Sequence, residues 1–195
     1  VVHVVRNTAK DTLVADLAGE IGLTTAERFT DGDGPCGATV QPGVAGRTAF
    51  TLRVQTGCDE HCSYCIIPRT RGIGRSRPLA LVMRDIDRAI AAGYKEIAIT
   101  GVHLGSYGRD LEHADLTRSA PRIGVGGHLK GTSLEFLIRV LAEWADDVLF
   151  RISSLEPMDC TPAIIDIAAH SPRIAPHFHL PLQHGSDAVL RAMRR

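Results

Sequence analysis

The sequence predicts an α/β fold built on parallel strands, and three observations predict it. From residue 49 onward, short runs of strand character alternate with runs of helical periodicity. The helical runs are roughly 8–15 residues long, which suits a crossover that returns the chain to a parallel neighbour. Glycine and proline punctuate the joints between runs.

Taken in order, Val1–Val5 reads as a short strand and the residues after it as an amphipathic helix. Leu13, Leu17 and Ile21 recur every four residues, and Asp11 is placed to cap the first turn. Residues 30–48 are rich in glycine and proline with little apolar periodicity, so they read as a linker, with Cys36 inside it. Ala49–Gln55 reads as a strand that ends just before a group of cysteines. Leu79–Ala92 is a predicted helix, apolar at Leu81, Val82, Ile86, Ala89 and Ile90 and stopped by Gly93. Glu96–Thr100 is a short buried strand, and Gly101–Gly108 a glycine-rich turn.

Residues 109–130 break the alternation and read as an insertion loop. Ser133–Trp144 is a helix opened by a Thr132/Ser133 cap, and Val148–Ile152 is a strand. Pro162–Ala169 is a helix with proline at its first position, where a missing N–H costs nothing. His177–Leu182 reads as a strand, and Ser186–Met193 starts another helix. About four strand–helix units fit after the linker. A closed eight-stranded barrel typically takes about 250 residues, so the pattern predicts a partial barrel.

Composition excludes several classes. With 44% hydrophobic and 23% charged residues among 195, the chain can bury one sizeable core, or one domain and part of a second. It is not a disordered polymer. No apolar run reaches the roughly 18 residues of a membrane span, and residues 1–5 lack the basic start of a secretory signal. The chain starts inside an apolar run without Met, which predicts a fragment of a longer protein.

Charge is balanced, with 22 basic and 22 acidic residues, so bulk charge makes no case for nucleic acid. Its distribution is more telling. Only Lys10, Lys95 and Lys130 are lysines, and Arg69, Arg71, Arg75 and Arg77 fall in a stretch free of acids. Arg191, Arg194 and Arg195 crowd the last residues. Guanidinium clusters suit phosphate or carboxylate, although a solvated loop explains the same residues.

Five cysteines are present, at 36, 58, 62, 65 and 160. An odd number, three of them packed into one short stretch, is a poor disulfide framework. Such spacing points to metal or redox ligands in a reducing compartment, with the cytoplasm as the default location. Cys58-x3-Cys62-x2-Cys65 follows a predicted strand and lies among Gly57, Asp59, Ser63 and Pro68, which favour a loop wrapped around a ligand. Three thiolates can hold three irons of a cubane cluster and leave the fourth open. A structural zinc site is the alternative, but it needs a fourth ligand from His61, Cys36 or Cys160. A redox pair made of Cys62 and Cys65 leaves Cys58 unexplained.

The Cys58-x3-Cys62-x2-Cys65 string resembles the signature of the radical S-adenosylmethionine (SAM) superfamily. The stretches VQTGCDEHCSYCIIPRTRGIGRSRP (54–78), GYKEIAITGVHLGSYG (93–108), RISSLEP (151–157) and HFHLPLQHGSDAVLRAMRR (177–195) together resemble its methylthiotransferase family. Thr100–Gly108 looks most like the branch that methylthiolates N6-threonylcarbamoyladenosine 37 of tRNA. Other branches act on isopentenyladenosine or on a ribosomal protein.

The resemblance implies a partial (β/α) radical SAM barrel over 49–195, truncated at its C-terminal side. Residues 1–29 would be the tail of a separate N-terminal methylthiotransferase domain, and 30–48 the linker. Cys58, Cys62 and Cys65 would ligate a [4Fe–4S] cluster whose open iron chelates the SAM amino and carboxylate groups. Tyr64 would lie near the adenine, and Gly101 and Val102 near the amino acid end. Ser153 and Glu156 would reach the ribose or amino group, and Gln183 would face the same mouth.

The chemistry implied is reductive cleavage of SAM to a 5′-deoxyadenosyl radical, hydrogen abstraction, sulfur insertion at adenine C2 and methyl transfer from a second SAM. The expected partners are a tRNA anticodon loop and an electron donor such as flavodoxin or ferredoxin, with no membrane. A second [4Fe–4S] cluster belongs to the family's N-terminal domain, and its three ligands are absent from this sequence. A non-catalytic zinc-binding fragment is the alternative of a different class.

Overall fold

A computed structural model describes residues 5, 13–22, 41–43, 48–111, 133–144 and 147–195. The chain divides into two compact units, Val1–Gln41 and Pro42–Arg195. In the first, helix α1 spans Leu13–Glu20. The expected Leu17 and Ile21 stripe is exposed, at 43% and 66%, whereas Ala18 is buried. Val5 lies outside any strand, while Val1–Val4 and Asp11 fall outside the described residues, as does most of the 30–48 linker.

The second unit holds a parallel sheet in the order β1-β4-β5, with β1 at Ala49–Arg53, β4 at Glu96–Thr100 and β5 at Leu149–Ile152. Thr51 pairs with Ala98, and Ala98 with Arg151, across the three strands. Helix α3 (Leu79–Ala91) returns the chain from β1 to β4. Its length, and the placing of Leu79, Val82, Ile86 and Ala89 at spacings of three and four, make one apolar face, and all four are buried. Gly93, at φ 93°, ends it in the left-handed conformation that glycine adopts without strain.

Helix α4 (Ser133–Ala142) precedes β5 and packs on α5 (Pro162–His170). Thr132, expected in the cap of α4, lies outside the described residues, as does most of the insertion at 109–130. Thr161 caps α5 by accepting a hydrogen bond from Ile164 N–H. Phe150 is fully buried and meets Trp144 edge-on, with centroids 6.0 Å apart. Burial of such a ring stabilises the fold by about 1.5–3 kcal/mol.

Two expected strands end differently. Ala49–Gln55 breaks at Val54, and Gln55–Thr56 (β2) instead pairs antiparallel with Arg75–Ser76 (β3). Segment 177–182 is not a strand. Only Ile174 and His179 bridge to Phe150 and Ser154, so five steps of one segment accompany four of the other. Pro176 has no N–H to give the ladder, and His177 N–H turns back to the Ala175 carbonyl at 2.7 Å. Among the described residues the sheet therefore has three full strands and a fourth, interrupted one, and they form no closed barrel. The final helix, α6, spans Asp187–Met193.

Candidate functional site

The β2–β3 ribbon pinches the base of a loop running from Gly57 to Gly74, and the three clustered cysteines lie on it. Gly57 has φ 72°, and Cys58 N–H reaches the Gly72 carbonyl at 3.1 Å. A Cβ at Gly57 would fall onto the Ile73 carbonyl oxygen, 2.7 Å from its carbon and 2.8 Å from the Gly72 oxygen. No side chain fits there. Across the loop, Asp59 Oδ1 accepts from Gly74 N–H at 3.1 Å. Cys65 N–H turns back to the Cys62 carbonyl at 3.1 Å, and the short helix α2 (Ile67–Arg71) follows, with Pro68 in its first turn. A distant support comes from α6, whose Met193 carbonyl accepts from Ser63 N–H at 2.9 Å.

All three thiols are free, half-buried and line one cavity of about 170 Å³. Val102, His103, Glu156 and Arg195 share its wall with Tyr64. Burial pushes the Cys58 thiol above its ordinary pKa; the charges of Glu60, Cys62 and Cys65 add to the rise, and a backbone hydrogen bond opposes it. Arg195 sits in the same wall, hydrogen-bonded to Glu156 and 3.6 Å from Cys62 Sγ. Desolvation works against its charge, but the Glu156 carboxylate outweighs that and holds the guanidinium firmly protonated.

Gln55 joins the cysteine loop to the turn after β4. Only 1% exposed, it accepts from Val102 and His103 N–H through Oε1, both at 2.9 Å. Its Nε2 donates to the carbonyls of Gly57 at 2.9 Å and Thr56 at 3.1 Å. One amide thus satisfies four backbone groups on two segments. Gly101 is a glycine for the chain's own reasons. A Cβ there would meet Gln55 Oε1 at 3.1 Å and Leu104 Cα at 3.1 Å. His103 Nε2 lies 3.1 Å from Asp159 Oδ2, which orients the ring at the cavity wall.

The sequence-derived candidates fall into two groups. Tyr64, Val102 and Glu156 line the cavity with the cysteines, and Gly101 adjoins it in the chain. Tyr64 O–H donates to Gln183 Oε1 at 3.3 Å, bringing together residues far apart in sequence. Gln183 holds a positive φ of 65°. Ser153 lies elsewhere, in a second cavity of about 390 Å³ with Arg151, Ser154, His177 and His179. Gln55, His103 and Arg195 are the residues that sequence reasoning missed. A polar side chain at the end of an apolar strand was the available signal for Gln55. For Arg195 it was the arginine cluster at the last residues.

Three free cysteines around one cavity are a donor set that a cubane, which spreads three thiolates over three irons, could use. A structural zinc site would need a fourth ligand beside them.

A parallel sheet with a three-cysteine loop beyond its first strand defines a class, and a family model described as the radical SAM superfamily matches residues 52–195. The chain belongs to that superfamily, which implies a [4Fe–4S] cluster and SAM. It is 35% identical over 154 residues to the threonylcarbamoyladenosine tRNA methylthiotransferase MtaB of Bacillus subtilis, covering 79% of this chain and 30% of that protein. It is 36% identical over 150 residues to a tRNA-2-methylthio-N(6)-dimethylallyladenosine synthase of Chlorobium luteolum, covering 77% and 30%. The radical SAM methyltransferase TsrM of Kitasatospora setae superposes with a TM-score of 0.48 at 17% identity, over 73% of this chain and 23% of that one. The chain spans under a third of the length of these curated relatives. No helix among the described residues is long and apolar enough to cross a membrane.

Proposed function

We propose that the chain is the cysteine-bearing core of a radical SAM methylthiotransferase that modifies C2 of N6-threonylcarbamoyladenosine 37 in tRNA. The observation that carries this reading is the set of three free thiols on one loop, lining one cavity beside the Val102 backbone. Cys58, Cys62 and Cys65 would hold the [4Fe–4S] cluster. When bound, cluster and SAM supply the reductive cleavage that starts the radical chemistry.

The chain's own residues bind and orient. Tyr64 and Gln183, joined by their hydrogen bond, would flank the adenine of SAM. Gly101 and Val102 would face its amino acid end on a backbone that Gln55 fixes. Glu156 would accept from the SAM ribose or amino group, and its pairing with Arg195 holds the carboxylate at the cavity wall. Ser153, expected at the same ligand, lines the second cavity instead.

Residues 1–29 would be the tail of the N-terminal methylthiotransferase domain, 30–48 the linker and 49–195 the radical SAM core. In the complete protein we expect a second [4Fe–4S] cluster, a cytoplasmic location, and reduction by a flavodoxin or ferredoxin. The threonylcarbamoyl branch is preferred on the Thr100–Gly108 stretch. The Chlorobium relative supports a second reading, in which isopentenyladenosine is the target.

The test is anaerobic cluster reconstitution followed by electron paramagnetic resonance of the reduced protein. A signal that changes on adding SAM, and is lost in Cys62→Ala, is expected. One tightly bound zinc with no cluster would overturn the proposal in favour of a non-catalytic metal-binding module.

A further inference from the structure

Among the described residues one face of the sheet is apolar and the other largely polar. Leu52, Ile97, Ile99, Phe150 and Ile152 point to the buried side and are 0–2% exposed. Strand alternation puts Thr51 and Arg53 of β1, Glu96 and Thr100 of β4, Arg151 of β5 and Ser153 just beyond it on the other side. Where that polar face meets the interrupted fourth strand lies the cavity of about 390 Å³. That volume is within the roughly 300–1,000 Å³ of small-molecule sites.

Its polar groups are one guanidinium, two hydroxyls and two imidazoles. Arg151, Ser153, Ser154, His177 and His179 line it, with no carboxylate among the lining residues. Arg151 Nε donates to Glu96 Oε1 at 2.7 Å, which fixes the plane of the guanidinium. Its two terminal nitrogens make no hydrogen bond to any described residue, so the bidentate edge is left to a ligand. Ser154 Oγ lies 2.8 Å from His179 Nδ1. When that hydroxyl donates, the ring proton sits on Nε2, which is then a donor. His177 adds a ring that no described side chain engages.

We propose that this cavity is a carboxylate-binding subsite that receives the anionic N6 substituent of the target nucleoside, with Arg151 as its fork and His177 and His179 as flanking donors. The proposal rests on the methylthiotransferase reading and deepens it. Threonylcarbamoyl ends in a carboxylate, which a guanidinium edge rewards, whereas an isopentenyl group offers it nothing. Placement supports the assignment. Ser153 lines this cavity and Glu156, three residues on, lines the cysteine cavity, so the two cavities are joined by one short stretch of chain. SAM carries a carboxylate as well, and the test separates the two sources.

The reconstituted full chain is titrated calorimetrically with N6-threonylcarbamoyladenosine and with N6-isopentenyladenosine, each with and without saturating SAM. The charged nucleoside is expected to bind at least tenfold more tightly. Arg151→Gln should abolish that preference and leave the neutral nucleoside unchanged. His177→Gln, at an exposed position, should reduce the preference severalfold and guards against misfolding of the arginine variant. Equal binding of the two nucleosides, no binding of either, or a preference indifferent to both substitutions would overturn the subsite. Competitive displacement by SAM would reassign the carboxylate to SAM and also overturn it. The SAM-dependent resonance change is read separately, so the subsite can fail while the cluster-and-SAM reading stands, and the reverse.

Discussion

Replacing Gly57 with alanine tests the closure of the cysteine loop. At φ 72° an alanine pays about 1–2 kcal/mol for the left-handed conformation. Its methyl would also overlap the Ile73 and Gly72 carbonyls, which are backbone and cannot rotate aside. Forced overpacking of that kind costs about 1–3 kcal/mol, for a total of about 2–5 kcal/mol. Gly93→Ala is the control. It shares the positive φ, at 93°, but among the described residues its Cβ would meet nothing closer than Pro42 Cγ at 3.9 Å. It should cost about 1–2 kcal/mol for the conformation alone. Urea unfolding of the three proteins gives the stabilities, and reaction with a thiol reagent reports the loop. Gly57→Ala should lose more stability than Gly93→Ala and expose its clustered thiols to faster labelling. Equal losses, with equal labelling rates, would refute the close approach of Gly57 to Ile73.

Gln55→Leu should cost about 3 kcal/mol or more in urea unfolding, since it leaves the N–H groups of Val102 and His103 and the Gly57 carbonyl without partners at about 1–3 kcal/mol each. A loss below about 1 kcal/mol would mean that water replaces the amide. The cluster-free chain should also lose stability in alkali. Burial raises the pKa of both Cys58 and Cys160, so the folded state holds these protons to higher pH than the unfolded state does. The stabilisation is complete below the ordinary thiol value of 9.0 and is lost as pH rises through the higher folded values. Urea midpoints at pH 7 and pH about 10 measure this, and Cys58→Ser with Cys160→Ser should flatten the difference; an unchanged slope would assign it to other groups.

Local pattern carried much of the fold. Glu96–Thr100 is a strand at the predicted boundaries because a short β-rich run between Gly93 and Gly101 has no competing partner. The break at Val54 was invisible, since the apolar alternation of Ala49–Gln55 does not record that Gln55 turns away to pair with Ser76. Pro176 and Pro181 were legible warnings against a strand at 177–182, and ladder chemistry won over apolar alternation there. In the site, the cysteine spacing marked the loop, but the contacts of Tyr64 with Gln183 and of Arg195 with Glu156 join residues 119 and 39 positions apart. Gly101 has a packing reason to be glycine that the sequence did not show, since a Cβ there would crowd Gln55 and Leu104.

The hydrogen bond from Ser63 to Met193 sets an order of events during synthesis. Its two ends are about 130 residues apart, so a ribosome adding about 5–20 residues per second needs roughly 7–26 s to make the second after the first. For that interval Cys58, Cys62 and Cys65 stand on a nascent chain whose loop lacks its last support, with oxidants and stray metals as competitors for the thiols. Cofactor delivery by a maturation system should therefore be favoured late, once α6 has emerged and docked. A chain interrupted before Met193 would present the same three thiols without the brace that the finished protein gives them.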